Sequence, residues 1–332
     1  MLRSIVSILA VLVFVLCLRV SARGAEPTEF DVGISGNGVT FFTLWMAEAG
    51  GFFKRAGLNV QVVDLPGGAR SLQVLLAGKI AATHAGLGPL TQANNQGADL
   101  RMIASTSNTI PFTIFLNPNV KTAVDLKDGK IGISTFGSEA DLAVALALKQ
   151  LGLNRKDVTI LQVGENATRL QALLAGQLSA TPLAEPMASI ARAQGLNPLI
   201  DFTTVPWVST GVVVRRTQLE NQRAVVTLFL RAYIEGAYLA WADEQQAKQV
   251  IKRKYKTDDA KAINATYNEF KRTMPADAEP SRAGAENVFD QMQAIGLNVG
   301  SKKIEDHISD DVIESLRTEG FFSAMKRKYN IQ

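Results

Sequence analysis

The residues best suited to chemistry are glycines, serines and threonines in short polar loops, each of which follows an apolar stretch typical of a buried strand. In a parallel sheet, ligands bind beyond the carboxyl ends of the strands. Glycine lets a ligand approach the backbone, and the first amides of a following helix are free donors with a partial positive charge. The pattern predicts a site for a small polar solute, built from loops 35–38, 66–71, 86–89, 134–139, 164–168 and 184–186.

Charged residues near these loops leave the sign of the solute's charge open. Arg70 and Arg169 are candidate partners for an anionic group. Glu165 and Glu185 would instead suit an ammonium or a hydroxyl group. Trp207 is either a lid or stacking wall over the solute, or a packed residue of a hinge.

The side chains of the common catalytic and metal sites are scarce. The chain has two histidines, His84 and His307, and one cysteine, Cys17. These residues do not make up a Ser–His–Asp or Cys–His arrangement or a zinc site, and the glycines of loop 35–38 do not follow the G-x-G-x-x-G spacing of a dinucleotide site. We therefore expect no catalytic residues, no cofactor and no metal, with His84 acting in the structure or as a donor to the solute.

An internal duplication shows which elements must position these loops. Residues 72–83 and 170–181 are identical at eight of twelve positions. Two further echoes occur in the same order, residues 32–35 with 131–134 and residues 57–59 with 152–154. A period this long is not that of a solenoid, so the sequence predicts a duplicated α/β lobe.

The order of predicted elements gives the fold class. Strands alternate with helices through both copies, which predicts an α/β protein in which each lobe has a mostly parallel sheet flanked by helices. A return strand from Trp207 to Arg215 and an all-helical tail follow. We expect residues 27–112 to form the first part of lobe 1, residues 113–206 to form lobe 2, and residues 207–332 to return and complete lobe 1.

Residues 1–22 differ from the rest of the chain. Arg3 precedes an apolar run that is short for a membrane span, and Val20, Ser21 and Ala22 offer a cleavage site. This pattern predicts a cleaved signal peptide, with a membrane anchor as the alternative. The remaining composition is that of a folded soluble protein, and the formal charge of +4, without a basic run, argues against nucleic-acid binding.

Several segments resemble the NMT1/THI5-like solute-binding proteins, a group that includes sulfonate, taurine and nitrate binders. The resemblance lies in residues 45–60, in the Leu-Leu-Ala-Gly-Lys-Ile-Ala segment at 75–81, in residues 125–132, in Gly137 and Ser138 at a helix start, and in the helical tail from Thr217. It extends over residues 28–330.

The resemblance implies a type II periplasmic-binding-protein fold, with two lobes joined by two crossing strands. It implies a periplasmic protein that captures a sulfonate, nitrate, carboxylate or pyrimidine-like solute and delivers it to an inner-membrane ABC permease. We expect the protein to be a monomer. The alternatives are an enzyme of this fold acting on a pyrimidine-like substrate, and a periplasmic ligand-sensing adaptor. By position, the ligand residues of the family correspond to Ser35, Asn37, Gly68, Arg70, Ser71, Gly86, Thr135, Gly137, Ser138, Glu165, Glu185 and Trp207.

Overall fold

The computed structural model describes residues 26–35, 38–122 and 124–331. The predicted signal peptide at 1–22 and the predicted ligand residue Asn37 lie outside the described residues.

Short strands and longer helices alternate through the first two thirds of the described chain. The strands are β1 (Thr28–Glu29), β2 (Val32–Ile34), β3 (Leu58–Asn59), β4 (Val62–Asp64), β5 (Ala82–Ala85), β6 (Leu100–Thr109), β7 (Thr113–Leu116), β8 (Lys130–Ile133), β9 (Thr159–Gln162), β10 (Ala180–Leu183), β11 (Asn197–Asp201) and β12 (Pro206–Arg215).

The α-helices between and after these strands are α1 (Phe42–Ala49), α2 (Phe52–Arg55), α3 (Gly68–Leu76), α4 (Leu87–Asn95), α5 (Glu139–Gln150), α6 (Asn166–Leu174), α7 (Met187–Ala193), α8 (Arg216–Asn221), α9 (Arg223–Ala242), α10 (Glu244–Tyr255), α11 (Ala260–Thr273), α12 (Arg282–Ala294), α13 (Asp311–Thr318) and α14 (Phe321–Tyr329). The sequence predicts one helix from about Thr40 to Gly57. The structure instead has α1 and α2, because Gly51 adopts a left-handed φ of 66° that interrupts the helix.

Two five-stranded sheets have the same strand order, as expected for a duplicated unit. The first is β4-β2-β5-β12-β6 and the second is β9-β8-β10-β7-β11. In each sheet the three leading strands are parallel, and the fourth strand runs antiparallel to its neighbours. We call the sheets with their helices the first and second lobes.

Corresponding side chains in the two lobes make the same hydrogen bonds and core contacts. Thr83 Oγ1 donates to the Gly33 carbonyl at 3.1 Å, and Thr181 Oγ1 donates to the Gly132 carbonyl at 2.8 Å. In the repeated helices α3 and α6, the side chains of Leu72, Leu75, Leu170 and Leu173 are buried. The duplication predicted from the sequence is thus present in the hydrogen bonding and in the core.

Two segments cross between the lobes side by side. Residues 110–112 lead from β6 to β7, and residues 202–205 lead from β11 to β12. The Ile110 amide donates to the Val205 carbonyl, and the Phe202 amide donates to the Phe112 carbonyl. These paired segments are the connections about which two such lobes can swing.

The helical tail packs on the first lobe. Phe229, Leu230 and Tyr233 of α9 are fully buried in a core shared with α1 and the first sheet. By length and composition α9 is apolar enough to span a membrane, but this burial is that of a core helix in a globular lobe.

Candidate functional site

A small cavity of about 70 Å³ lies between the lobes, at the carboxyl ends of the strands. Polar residues of both lobes and of β12 line it. They include Ser35, Thr40, Ser134, Asn166, Ser209 and Thr210. Phe41, Pro89, Pro111 and Phe112 supply apolar walls. Such a mixture of apolar surface and a few placed polar groups is typical of a ligand site.

Four helices begin at the cavity wall. The lining includes Gly68 at the start of α3, Gly86 before α4, Ser138 before α5 and Glu165 before α6. The first amides of an α-helix have no partner within the helix and carry a partial positive charge. The cavity is therefore rich in backbone donors from both lobes.

Ser138 is the N-cap predicted from the sequence. Its Oγ accepts from the Asp141 amide at 3.3 Å and from Ser134 Oγ at 2.8 Å, and the side chain is buried. Because these bonds fix the start of α5, they also fix the position of Glu139 beside the cavity.

Arg169 brings a buried positive charge to the wall. Its Nε and Nη2 donate to the Pro182 carbonyl at 3.3 and 3.1 Å, Nη1 donates to the Gly164 carbonyl, and Nη2 reaches Asn166 Oδ1 at 2.7 Å. Burial lowers the pKa of Arg169 to about 10, with Glu165 opposing the change. The guanidinium stays charged at neutral pH, while its hydrogen bonds hold the start of α6 against β10.

Two carboxyl groups, one from each lobe, lie close enough to interact. Glu165 belongs to the second lobe, and Asp64 ends β4 in the first. Burial raises the pKa of Glu165, and the charge and hydrogen bond of Asp64 raise it further, while Arg169 lowers it. Glu165 therefore keeps its proton to a higher pH than an isolated glutamate does.

Glu139 places a second carboxyl group inside the cleft. Its Oε1 accepts a hydrogen bond from Trp207 Nε1 of β12. The side chain as a whole is partly exposed, but Oε2 is shielded from solvent and has no hydrogen-bond partner among the described residues. Burial raises the pKa of Glu139 to about 8, against the smaller effect of the Trp207 bond.

His84 lines the cavity but is held by the first lobe. Its Nε2 lies 2.8 Å from the Tyr233 hydroxyl of α9, and its ring meets Phe41 edge-on. Burial lowers the pKa of His84 to about 4. The imidazole is therefore neutral and anchored, which fits the first of the two roles expected for it, a structural one rather than that of a donor to the solute.

The structure brings together five of the ligand residues predicted from the sequence. Ser35, Gly68, Gly86, Ser138 and Glu165 line the cavity. Arg70 is exposed and donates to Gln73 Oε1, Ser71 Oγ donates to the Gly67 carbonyl, and Glu185 accepts from the Ser189 amide and from Arg192.

The remaining predicted residues lie next to the cavity wall. Thr135 lies against Gly67 across the cleft, and Gly137, with a φ of 72°, donates its amide to Asp141 Oδ2. Trp207 is buried in the wall of β12 and touches Glu139.

The sequence placed Glu139 inside the predicted loop 134–139 but did not single it out as a ligand residue. An acidic residue in the first turn of a helix has an ordinary explanation in the helix dipole. Its partner Trp207 lies 68 positions away, so the local sequence has no signal for the contact. Asn166 likewise lies in a predicted loop, 164–168, without having been singled out, and Phe112, Ser209 and Thr210 lie in the lining outside the predicted loops.

Comparisons with known proteins agree with this architecture. The model of the NMT1/THI5 like family matches residues 39–247. The riboflavin-binding protein RibY of Chloroflexus aurantiacus is 24% identical over 238 residues, which cover 68% of this chain and 67% of that protein.

Two solved structures have a fold similar to that of this chain. The alkanesulfonate-binding protein SsuA from Xanthomonas axonopodis pv. citri, bound to MOPS, superposes with a TM-score of 0.71 at 20% identity, covering 86% of this chain and 99% of SsuA. The periplasmic nitrate-binding protein NrtA from Synechocystis superposes with a TM-score of 0.70 at 14% identity, covering 89% of each chain.

Two similar α/β lobes, two crossing strands and a polar cavity between them define the type II periplasmic-binding-protein fold, that of the solute-binding proteins of ABC importers. Within that class, the family match spans more than half of the sequence, and the chain belongs to the NMT1/THI5 like family.

Proposed function

We propose that this chain is the periplasmic solute-binding component of an ABC importer, and that it captures a small polar or anionic organic solute by closure of its two lobes. The observation that carries this proposal is the cavity itself. Both lobes supply hydrogen-bond donors to its lining, and residues of β12 form one wall. A solute that binds there contacts both lobes at once, so it stabilises the closed form over the open one.

The solute is a molecule with several acceptor atoms. The starts of α3, α4, α5 and α6 supply backbone donors, and Arg169 supplies a positive charge. A sulfonate, a nitrate, a carboxylate or the carbonyl groups of a pyrimidine-like ring would satisfy such donors. The small volume of about 70 Å³ favours a compact solute or a compact head group.

The solute leaves unaltered in this proposal. Among the described residues of the lining, His84 is anchored by Tyr233 and Arg169 is engaged with backbone carbonyls. The cavity thus offers groups that hold and orient a solute rather than a free nucleophile and its base. Turnover of a bound solute, lost in a His84→Ala variant, would instead support an enzyme.

The proposed setting is the periplasm, reached by a signal peptide at residues 1–22, with an inner-membrane ABC permease as partner and the monomer as the working form. A ligand-sensing adaptor is the competing outcome. Deleting the gene should abolish uptake of the solute if the chain serves a permease. It should abolish a response but leave uptake intact if the chain serves a receptor.

The decisive experiment identifies the solute. Protein expressed with its leader is purified natively from the periplasm, and co-purifying small molecules are identified by native mass spectrometry. A panel of methanesulfonate, MOPS, nitrate, acetate, uracil and riboflavin is then tested by thermal shift, because a ligand of the folded form raises the melting temperature. Absence of a co-purifying molecule together with no shift for any panel compound would contradict the proposed solute class.

A further inference from the structure

Glu139 joins three parts of the closed molecule. It begins α5 of the second lobe, and its Oε1 accepts from the indole of Trp207 on β12. A Cβ atom at Gly86 of the first lobe would collide with Glu139 Oε2 and would also lie against the Ser209 carbonyl. The Oε2 atom therefore lies between the second lobe and two parts of the first lobe, the start of α4 and β12.

The surroundings of Oε2 suit a neutral acid better than a carboxylate. Oε2 is shielded from solvent and lacks a partner among the described residues, while the Ser209 carbonyl lies on the same side of Gly86. A buried carboxylate oxygen without a donor is costly, whereas a carboxylic acid can offer its proton to an acceptor.

We propose that Glu139 is a positioning residue that works as a neutral acid, with the Oε2 proton held against the first lobe beside Gly86 and the Ser209 carbonyl, so that solute capture is linked to proton uptake. The inference rests on the proposed function, because it concerns the same cavity.

The titration of Glu139 supports this geometry. Burial raises the pKa of Glu139 to about 8, so the group is mainly protonated at pH 7 and mainly ionised at pH 9.

The other titratable groups of the cavity are His84 on β5, with Glu165 and Arg169 at the start of α6. On α5, the helix of Glu139, Asp141 is paired with Arg155 at 2.6 Å. The sequence of α4 has no ionisable side chain, and β12 has only Arg215, whose Nη1 bonds the Leu75 and Ile80 carbonyls.

The first test needs no solute. The indole N–H of Trp207 reports on the charge of Glu139, and the chain has three tryptophans, so its NMR signal can be assigned with a Trp207→Phe variant. We expect the signal to shift between pH 6 and pH 10 in the parent protein and to stay constant in Glu139→Gln. A signal that does not move in this range, or that moves only near the ordinary pH of a glutamate, would overturn the inference.

The second test measures affinity for methanesulfonate, nitrate and acetate, which do not titrate between pH 7 and pH 9. If the solute binds only to protein in which Glu139 is neutral, the affinity for the solute should fall about tenfold from pH 7 to pH 9. Glu139→Gln keeps a donor and an acceptor, so it should bind at pH 7 and lose the pH dependence. Glu165→Gln controls for the neighbouring carboxyl and should retain it.

The outcomes separate the inference from the proposed function. Binding that is independent of pH in the parent protein contradicts the inference and leaves the function standing. Failure of every panel compound to bind, with the Trp207 signal still titrating, contradicts the proposed solute class and supports the neutral state of Glu139.

Discussion

Gly86 of the first lobe and Glu139 of the second lie so close together that a Cβ atom at Gly86 would overlap Glu139 Oε2. Gly86 has an extended backbone, with φ of −77° and ψ of 159°, which any residue can adopt. The glycine is therefore required for the close approach of Glu139 and of the Ser209 carbonyl, and not for a special backbone conformation.

Gly86→Ala should act as a wedge that keeps the cleft partly open. Because binding needs the closed form, the apparent affinity should fall by about tenfold or more as the closed population falls. Calorimetric titration with the co-purified solute measures the effect, and the free energy of unfolding is measured alongside because the same Cβ would lie 2.6 Å from the Ser209 carbonyl of the first lobe. Gly38→Ala is the matched control. It is also an extended glycine of the lining, and its Cβ would make only ordinary contacts of 3.5 Å or more. Equal affinities for both variants would contradict the close approach.

Arg169→Met should destabilise the protein strongly, by about 3 kcal/mol or more. The Pro182 and Gly164 carbonyls would lose their hydrogen-bond donor and remain largely buried, which costs free energy. Arg70→Ala, the matched control on the exposed side of the repeated helix, should change the free energy of unfolding by about 0.5 kcal/mol or less. Denaturant unfolding measures both, and similar losses would show that Arg169 does not hold the second lobe.

Thr83→Val and Thr181→Val should cost similar amounts, about 1 kcal/mol each, because each removes one buried hydrogen bond at the same place in its lobe. Thr318→Val, at an exposed helix end, serves as the control. The melting temperatures of the three variants test this expectation. A loss confined to one of the two buried threonines would contradict their equivalence.

The neutral state of His84 predicts acid sensitivity. Its pKa is lowered by burial to about 4 in the folded protein, whereas an unfolded histidine titrates near 6.5. The unfolded state therefore binds the proton first, and stability falls as pH decreases from about 6.5 to 4, by up to roughly 3 kcal/mol from this group. His84→Gln should lack this contribution, so its pH profile of melting temperature should be flatter over that interval. Parallel profiles for the two proteins would contradict the assignment.

The duplicated sequence was sufficient to predict the lobes. Identical leucines at helical spacing gave the buried faces of α3 and α6, and the repeated threonines at the following strands make matching hydrogen bonds. Glycine and serine at the strand ends predicted the polar loops of the cavity, because parallel strands end at the same edge of a sheet. The NMT1/THI5-like resemblance noted from the sequence is confirmed by the family match.

Side-chain direction was harder to predict than loop position. Arg70 and Arg169 both precede the repeated Leu-Gln segment, but Arg169 aligns with Ser71 and Arg70 with Thr168. One residue along a helix rotates a side chain by about 100°, so Arg169 is buried at the cavity while Arg70 faces solvent. The contact between Trp207 and Glu139 depends on how the lobes meet, which no local pattern encodes.

The central claim, that the lobes close on a solute, is tested most directly by a disulfide across the cleft. A Cβ at Gly137 would lie 4.0 Å from Ala69 Cβ, within the separation of about 3.5–4.5 Å that a disulfide needs. The left-handed φ of 72° at Gly137 strains a cysteine there, so rates are compared between two states of the same variant. Cys17 is the one cysteine of the sequence and precedes the predicted cleavage site, so the mature Ala69→Cys/Gly137→Cys variant would carry no other thiol.

Oxidation of this variant is followed by mass spectrometry, with the co-purified solute bound and after the solute has been removed. The account predicts faster cross-linking with solute present and retention of that solute through dialysis. Equal rates in the two states, or free loss of solute from the cross-linked protein, would contradict it.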